Sequence, residues 1–201
     1  MKIFQLAKKT PVLLFLITVF FISGVIQINA QEIKPELPAK KQTTLGLYVT
    51  SAEAYAKWKA SPEDIKIIDV RTPEEYIFIG HAPMAYNVPI AMQSYTWDTT
   101  TNDYAMKMQS NFIEHVKLIA QANDTILVTC RSGGRSAMAV NQLAAAGFFY
   151  VFNITDGFEG DMVKDESSLY YEKRMVNGWK NSGVPWTYKL NKDLMVLPKK
   201  E

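Results

Sequence analysis

The seven residues Cys130-Arg131-Ser132-Gly133-Gly134-Arg135-Ser136 gather one thiol, two guanidiniums and two adjacent glycines within a single short stretch. Cys130 is the only cysteine in the chain. A sulfur placed at a helix start faces the unpaired N–H groups of the first turn and the positive end of the helix dipole, both of which favour a negative charge. Arg131 and Arg135 add full positive charges beside it. Gly133 and Gly134 lack a Cβ, so successive backbone N–H groups can turn inward and form a nest for an anion. The set suits a nucleophilic sulfur that carries a charged group. The blander reading is a buried cysteine acting as a small hydrophobe, with ordinary surface arginines and Ser136 as a plain helix cap. Packing alone accounts for neither the paired glycines nor the two cations.

The flanking residues say how such a loop is held. Thr125-Ile126-Leu127-Val128-Thr129 is short, apolar and β-branched, the pattern of a buried strand, and Ser136 to Ala146 reads as a helix stopped by Gly147. The loop is therefore expected at a strand-to-helix turn. Upstream, Thr50-Ser51-Ala52-Glu53 is a capping box that opens a helix through Trp58, and Ile65 to Val70 is the next strand. Thr72-Pro73-Glu74-Glu75 then supplies a cap, a first-turn proline and two acids for a second helix. A helix is expected over Gln109 to Ala122, with Phe112, Val116 and Ile119 on one face, and a strand over Phe149 to Ile154. Alternating strands and helices predict an α/β fold with a mainly parallel central sheet and helices on both faces. Ligands of such sheets sit beyond the carboxyl ends of the strands, where Cys130 falls.

The segment from Cys130 to Ser136 resembles the active-site loop of single-domain rhodaneses, the sulfurtransferase family. Ile67-Ile68-Asp69-Val70-Arg71 with Glu74-Glu75-Tyr76 and Gly80-His81-Ala82 is similar to the family's first segment, and Asn87-Val88-Pro89 continues the match. Downstream, Asp156-Gly157-Phe158-Glu159-Gly160 resembles its glycine-containing segment, and Trp179 with Gly183-Val184-Pro185 its closing motif. The likeness runs over roughly residues 50 to 188. It implies a rhodanese-like fold and a Cys130 that accepts a sulfane sulfur, stores it as a persulfide and passes it to a thiol or cyanide. It further implies that amides from Arg131 to Arg135 cradle the persulfide, that both guanidiniums attract a small anionic donor, and that Arg135 also braces the loop. Such covalent catalysis splits one transfer into two easier ones.

Cysteine phosphatases place five residues between cysteine and arginine, so that the loop rings a phosphate. Here four residues, Arg131 to Gly134, separate Cys130 from Arg135, and the smaller ring suits sulfur better. Phosphatase or arsenate-reductase-like chemistry is thereby weakened. A carrier or binding module that takes its persulfide from a partner enzyme is a second class of function, and a protein could then serve as sulfur acceptor. Two stretches depart from the family pattern, residues 91–110 and 161–173. Each reads as an irregular surface loop or, alternatively, as a lid or acceptor-binding surface.

The remaining polar residues take supporting roles. Asp69, Arg71 and Glu75 are expected in buried salt bridges that position the loop, and His81 is expected to be structural. His115 reads as a surface or core-edge residue. Two histidines and one cysteine offer no recognisable metal-ligand spacing, and no cofactor motif occurs. Trp97, Trp179, Trp186, Tyr170 and Tyr171 read as packing residues.

Residues 1–30 read as an export signal: Lys2, Lys8 and Lys9, an apolar Val12 to Ile26, then Ile28-Asn29-Ala30 before Gln31. Cleavage is favoured over an uncleaved anchor, which places the protein in a periplasm or outside the cell with no membrane attachment. Three of the 22 basic residues and none of the 20 acidic ones lie in that segment, leaving 19 against 20 in a near-neutral mature chain. No general basic surface for nucleic acid remains. A lone cysteine cannot form an internal disulfide, so stability must come from a core. The expected organisation is a linker at 31–48, extended in its Pro35 and Pro38 region, a rhodanese-like domain at 49–190 and a tail at 191–201.

Overall fold

The strand Ile65–Asp69 (β2) shows how the sheet is built, because its successive side chains feed opposite layers. Ile67 enters one apolar cluster with Val49, Leu127, Ile154, Phe158 and Trp179. Ile68 enters the other, with Val88, Phe112, Val128, Val140 and Leu143. Complete burial of a side chain such as Ile67, Ile68 or Leu127 contributes about 1.5–3 kcal/mol each. A strand buried on both faces reads as a continuous apolar run, which is the pattern of Thr125–Thr129 (β6).

The computed structural model describes residues 36–197. Five strands form a parallel sheet in the order β1-β7-β6-β2-β3, where β1 is Tyr48–Val49, β3 is Tyr86–Asn87 and β7 is Val151–Ile154. Thus β6 is the central strand, in register with β2 from Ile65 opposite Thr125 to Asp69 opposite Thr129. Helix α1 (Ser51–Ala60) covers one face through Ala54, and Ile79 of α2 (Pro73–Ile79) packs against the same layer. Helices α3 (Phe112–Lys117) and α4 (Gly134–Ala145) cover the other. The expected α/β fold, a mainly parallel sheet between helices, is what the chain adopts.

The capping box anticipated at α1 forms, and the cap anticipated at α2 proves to be a capping box as well. Thr50 accepts from the Glu53 N–H while the Glu53 carboxylate accepts from the Thr50 N–H, and Thr72 and Glu75 exchange the same pair of bonds at α2.

Other expectations are corrected. The 91–110 stretch, read as an irregular loop, is an antiparallel hairpin of β4 (Ala91–Asp98) and β5 (Asp103–Met108), turned through Asn102 at φ +51°. Helix α3 is shorter than the expected 109–122. Gln109 is held by its N–H bond to the Ile90 carbonyl, and the helix closes where the Leu118 N–H donates to the His115 carbonyl and the Ile119 N–H to the Val116 carbonyl. Helix α4 begins at Gly134, two residues before the expected Ser136. The linker does not extend to residue 48: Ala39–Lys41 forms a 3-10 turn, Leu45 packs on the core, and Lys41 is only 6% exposed. Nor is the tail wholly separate, since the Val196 N–H donates to the Asn87 carbonyl. Trp97, Tyr170 and Tyr171, expected as packing residues, are exposed, whereas Trp179 is fully buried. The anticipated export signal at residues 1–30 lies outside the described residues.

Candidate active site

Cys130 follows the last residue of β6 and is 1% exposed, its side chain joining the layer beneath α3 and α4. The sulfur nevertheless meets polar donors. The Gly133 N–H donates to Sγ at 3.2 Å, and the Ser136 hydroxyl lies 3.4 Å from it. Gly133 is the N-cap of α4 in a left-handed conformation (φ +94°), with no side chain to cap the helix. Helices α1 and α2 spend their first-turn amides on threonine and glutamate; α4 starts without such a cap, facing the cysteine. An uncapped helix N-terminus is a ready site for an anion.

Two glycines press the loop into this shape. A Cβ on Gly133 would lie 2.2 Å from the Thr155 carbonyl oxygen, and one on Gly157 would lie 2.6 Å from the Ser132 nitrogen and 2.7 Å from the Cys130 carbonyl oxygen. The segment after β7 is therefore laid directly beneath the loop, and the Phe158 N–H donates to the Cys130 carbonyl at 2.7 Å. Asp156 ties that segment to α1: it accepts from the Ser51 N–H at 2.8 Å, the Ser51 hydroxyl at 2.9 Å and the Gly178 N–H at 3.1 Å. Burial pushes its carboxyl above the ordinary aspartate value despite these bonds.

Arg135 and Glu75 join the start of α4 to the start of α2. Nη1 donates to Oε2 at 2.6 Å and Nη2 to Oε1 at 2.5 Å, a two-pronged pair. Burial disfavours both charges, yet each group outweighs it for the other, holding the Glu75 carboxyl below and the Arg135 guanidinium above their ordinary values. Because the native carboxyl is depressed, its stabilising contribution is complete above the unfolded glutamate value of 4.5 and is lost as pH falls through the lower folded value. Urea unfolding of the wild type and Glu75→Gln should accordingly differ by about 1–3 kcal/mol at neutral pH. The gap is expected to narrow as pH falls below 4.5 and to close once the native carboxyl is protonated. A gap that is constant with pH would show that the pair contributes no charge-dependent stability.

Of the two arginines expected to draw in an anion, Arg135 is thus neutralised and serves as the brace. Arg131 is exposed and, among the described residues, has no acidic partner. Ser132 and Gly134 are partly exposed around it, while Ser136 is buried.

Asp69 and Arg71 form a fully buried pair, Nη2 to Oδ2 at 2.6 Å, both side chains 0% exposed. Arg71 also donates to the Gly80 carbonyl at 2.8 Å and stacks over Phe158 at 4.2 Å. Burial opposes its charge, but Asp69 outweighs that and raises the guanidinium above its ordinary value. Since Asp69 lies opposite Thr129, the pair anchors the strand ends on which Cys130 stands. His81 stacks on Tyr76 at 3.7 Å, donates from Nδ1 to the Tyr76 carbonyl at 3.1 Å, and exchanges backbone bonds with Thr187. It supports the exit of α2 rather than the loop, and burial lowers its imidazole below the ordinary value. His115 meets Asn111 on α3.

Asn153 was missed by the sequence reading. Fully buried in β7, it donates from Nδ2 to the carbonyls of Lys41 at 2.8 Å and Gly133 at 3.1 Å, and its Oδ1 accepts from the Ser136 hydroxyl at 2.6 Å. One amide thus fixes Gly133, whose N–H faces the sulfur, by its carbonyl, and with it the Ser136 hydroxyl that lies 3.4 Å from the sulfur. The lone asparagine inside an apolar strand was the available signal.

A parallel α/β sheet with a cysteine at the end of its central strand, facing an uncapped helix, defines a cysteine-centred α/β domain. The chain belongs to the rhodanese-like domain family, whose pattern matches residues 51–162. Thiosulfate sulfurtransferase 16 of Arabidopsis thaliana chloroplasts is 38% identical over 93 residues, covering 46% of this chain and 70% of that protein. An uncharacterized protein of Rickettsia prowazekii is 29% identical over 124 residues, covering 61% and 82%. The crystal structure of Rv0390 from M. tuberculosis superposes with a TM-score of 0.54 at 24% identity, over 70% of this chain and 96% of that one, a likeness of fold.

Proposed function

We propose that the protein is a sulfurtransferase that moves a sulfane sulfur through a Cys130 persulfide. The observation that carries this reading is the Cys130 sulfur set against the Gly133 amide at the uncapped start of α4. In the first half-reaction the thiolate attacks the outer sulfur of an anionic donor such as thiosulfate, polysulfide or a persulfide. A new S–S bond forms, the donor's S–S bond breaks, and its electron pair leaves with sulfite or the donor thiolate. In the second, a thiolate or cyanide attacks the outer sulfur of the persulfide, and the electron pair of the broken bond returns to Cys130 Sγ. Arg131 draws the anion in, and the amides of the loop hold the added negative charge. The lysine-led apolar segment at residues 1–30 supports work in a periplasm or outside the cell.

The test is intact mass. Reduced protein incubated with thiosulfate should gain about one sulfur, ~32 mass units, and lose it again on adding cyanide. Absence of the adduct with thiosulfate, polysulfide and a small-molecule persulfide alike would refute the assignment.

A further inference from the structure

A cleft of about 550 Å³ opens beside the loop, lined by Ser132 on one side and by Lys40, Lys41, Asp161, Lys164 and Arg174 around it. Four cations share it with one carboxylate. That imbalance is local, because the chain beyond residue 30 carries 19 basic against 20 acidic residues.

Its walls are built. Lys41 reaches Asp161 at 3.2 Å, and its carbonyl is gripped by the same Asn153 amide that holds the Gly133 peptide. Opposite, Arg174 donates to the Gly160 carbonyl at 2.6 Å, and Asn177 donates to Asp161 while accepting from the Asp161 N–H. Both walls are thereby fastened to the elements that shape the Cys130 loop. Lys40 and Lys164 are exposed and, among the described residues, have no acidic partner. Pro38, Met162 and Val176 give the cleft apolar surface as well. Its volume lies in the range of small organic ligands, about 300–1,000 Å³, far beyond the needs of an inorganic sulfur anion.

Resting on the sulfurtransferase reading, we propose that this cleft binds the sulfur acceptor, and that the acceptor is a low-molecular-weight thiol carrying two carboxylates on an organic body. The carboxylates pair with Lys40 and Lys164, the body lies against Met162 and Val176, and the thiol passes Ser132 to reach the persulfide. There its thiolate, having released its proton to water, bonds to the outer sulfur. The bond to Cys130 Sγ breaks with its electron pair left on Sγ, and the acceptor departs as a persulfide anion.

Glutathione is the acidic probe and 2-mercaptoethanol the uncharged one. With thiosulfate as donor, the double variant Lys40→Glu/Lys164→Glu should raise the ratio of the glutathione KM to the 2-mercaptoethanol KM about tenfold. A ratio that stays within twofold overturns the cleft assignment. Calorimetric titration with S-methylglutathione, which cannot accept sulfur, reads the cleft without any transfer. Binding that weakens in the double variant and in 0.5 M salt supports the cleft even if no persulfide ever forms, a result that would sink the sulfurtransferase reading alone. No heat of binding to the wild type overturns the cleft while leaving that reading intact.

Discussion

Cys130→Ser is expected to gain no mass with any sulfane donor and to melt within a few degrees of the wild type. The hydroxyl cannot carry a sulfane sulfur, so the loss of transfer should reach the detection limit. The fold should survive because a serine oxygen can accept from the Gly133 N–H that points at the substituted atom and donate to the Ser136 oxygen, which lies 3.4 Å from the sulfur and gives its own proton to Asn153. Replacing one small side chain in a layer of fully buried aliphatics costs about 1 kcal/mol. The decisive comparison is mass gain against far-ultraviolet circular dichroism on the same sample. A Cys130→Ser protein that still takes up sulfur, or that no longer folds, would return Cys130 to the role of a packing residue.

Arg71→Met should lower unfolding stability by about 3–5 kcal/mol, the largest loss expected from any single surface-neutral change in the domain. The substitution keeps the stem but leaves the Asp69 carboxylate 0% exposed with no cation, retaining only its bond from the residue 71 backbone N–H at 3.0 Å. The Gly80 carbonyl loses its donor too. Removing both charges together, as Asp69→Leu/Arg71→Met, should recover most of the loss, because a buried pair and an apolar pair of similar volume are close in energy. Urea midpoints of the two variants decide the matter. If the single variant loses less than about 1 kcal/mol, the pair is not what holds the ends of β2 and β6 together.

The parts that the sequence made legible are those whose causes are local. Thr50 with Glu53 and Thr72 with Glu75 close within one helical turn, so the starts of α1 and α2 could be read from four letters each. The apolar run of β6, the glycines after Cys130 and their resemblance to a known loop pointed to the same strand end. What escaped depends on distant partners. Asn153 and Lys41 act through bonds across 112 positions of chain, which no window of sequence contains. Arg131 and Arg135 look alike in the sequence, and only the Glu75 carboxylate, 60 positions away, separates the free cation from the brace. The hairpin went unseen because both its faces are largely exposed and a register shift between Gln93 and Trp97 breaks any alternation. Helix α3 was overdrawn because the apolar period continues through Ile119 and Ala120, which pack on the core after the helix has ended at Lys117.

The hairpin of β4 and β5 leaves and rejoins the domain at a neck where the Gln109 N–H meets the Ile90 carbonyl at 2.9 Å. Outward of that closure the two strands pair with each other and not with the five-stranded sheet. Such a seam leaves every strand beneath Cys130 paired as it is whatever the length of the appendage, while Met106 of β5 reaches back to within 3.9 Å of Arg135 Nη1. The hairpin is thus an outrigger hung from one hinge point, with Tyr95, partway along it, 95% exposed to solvent.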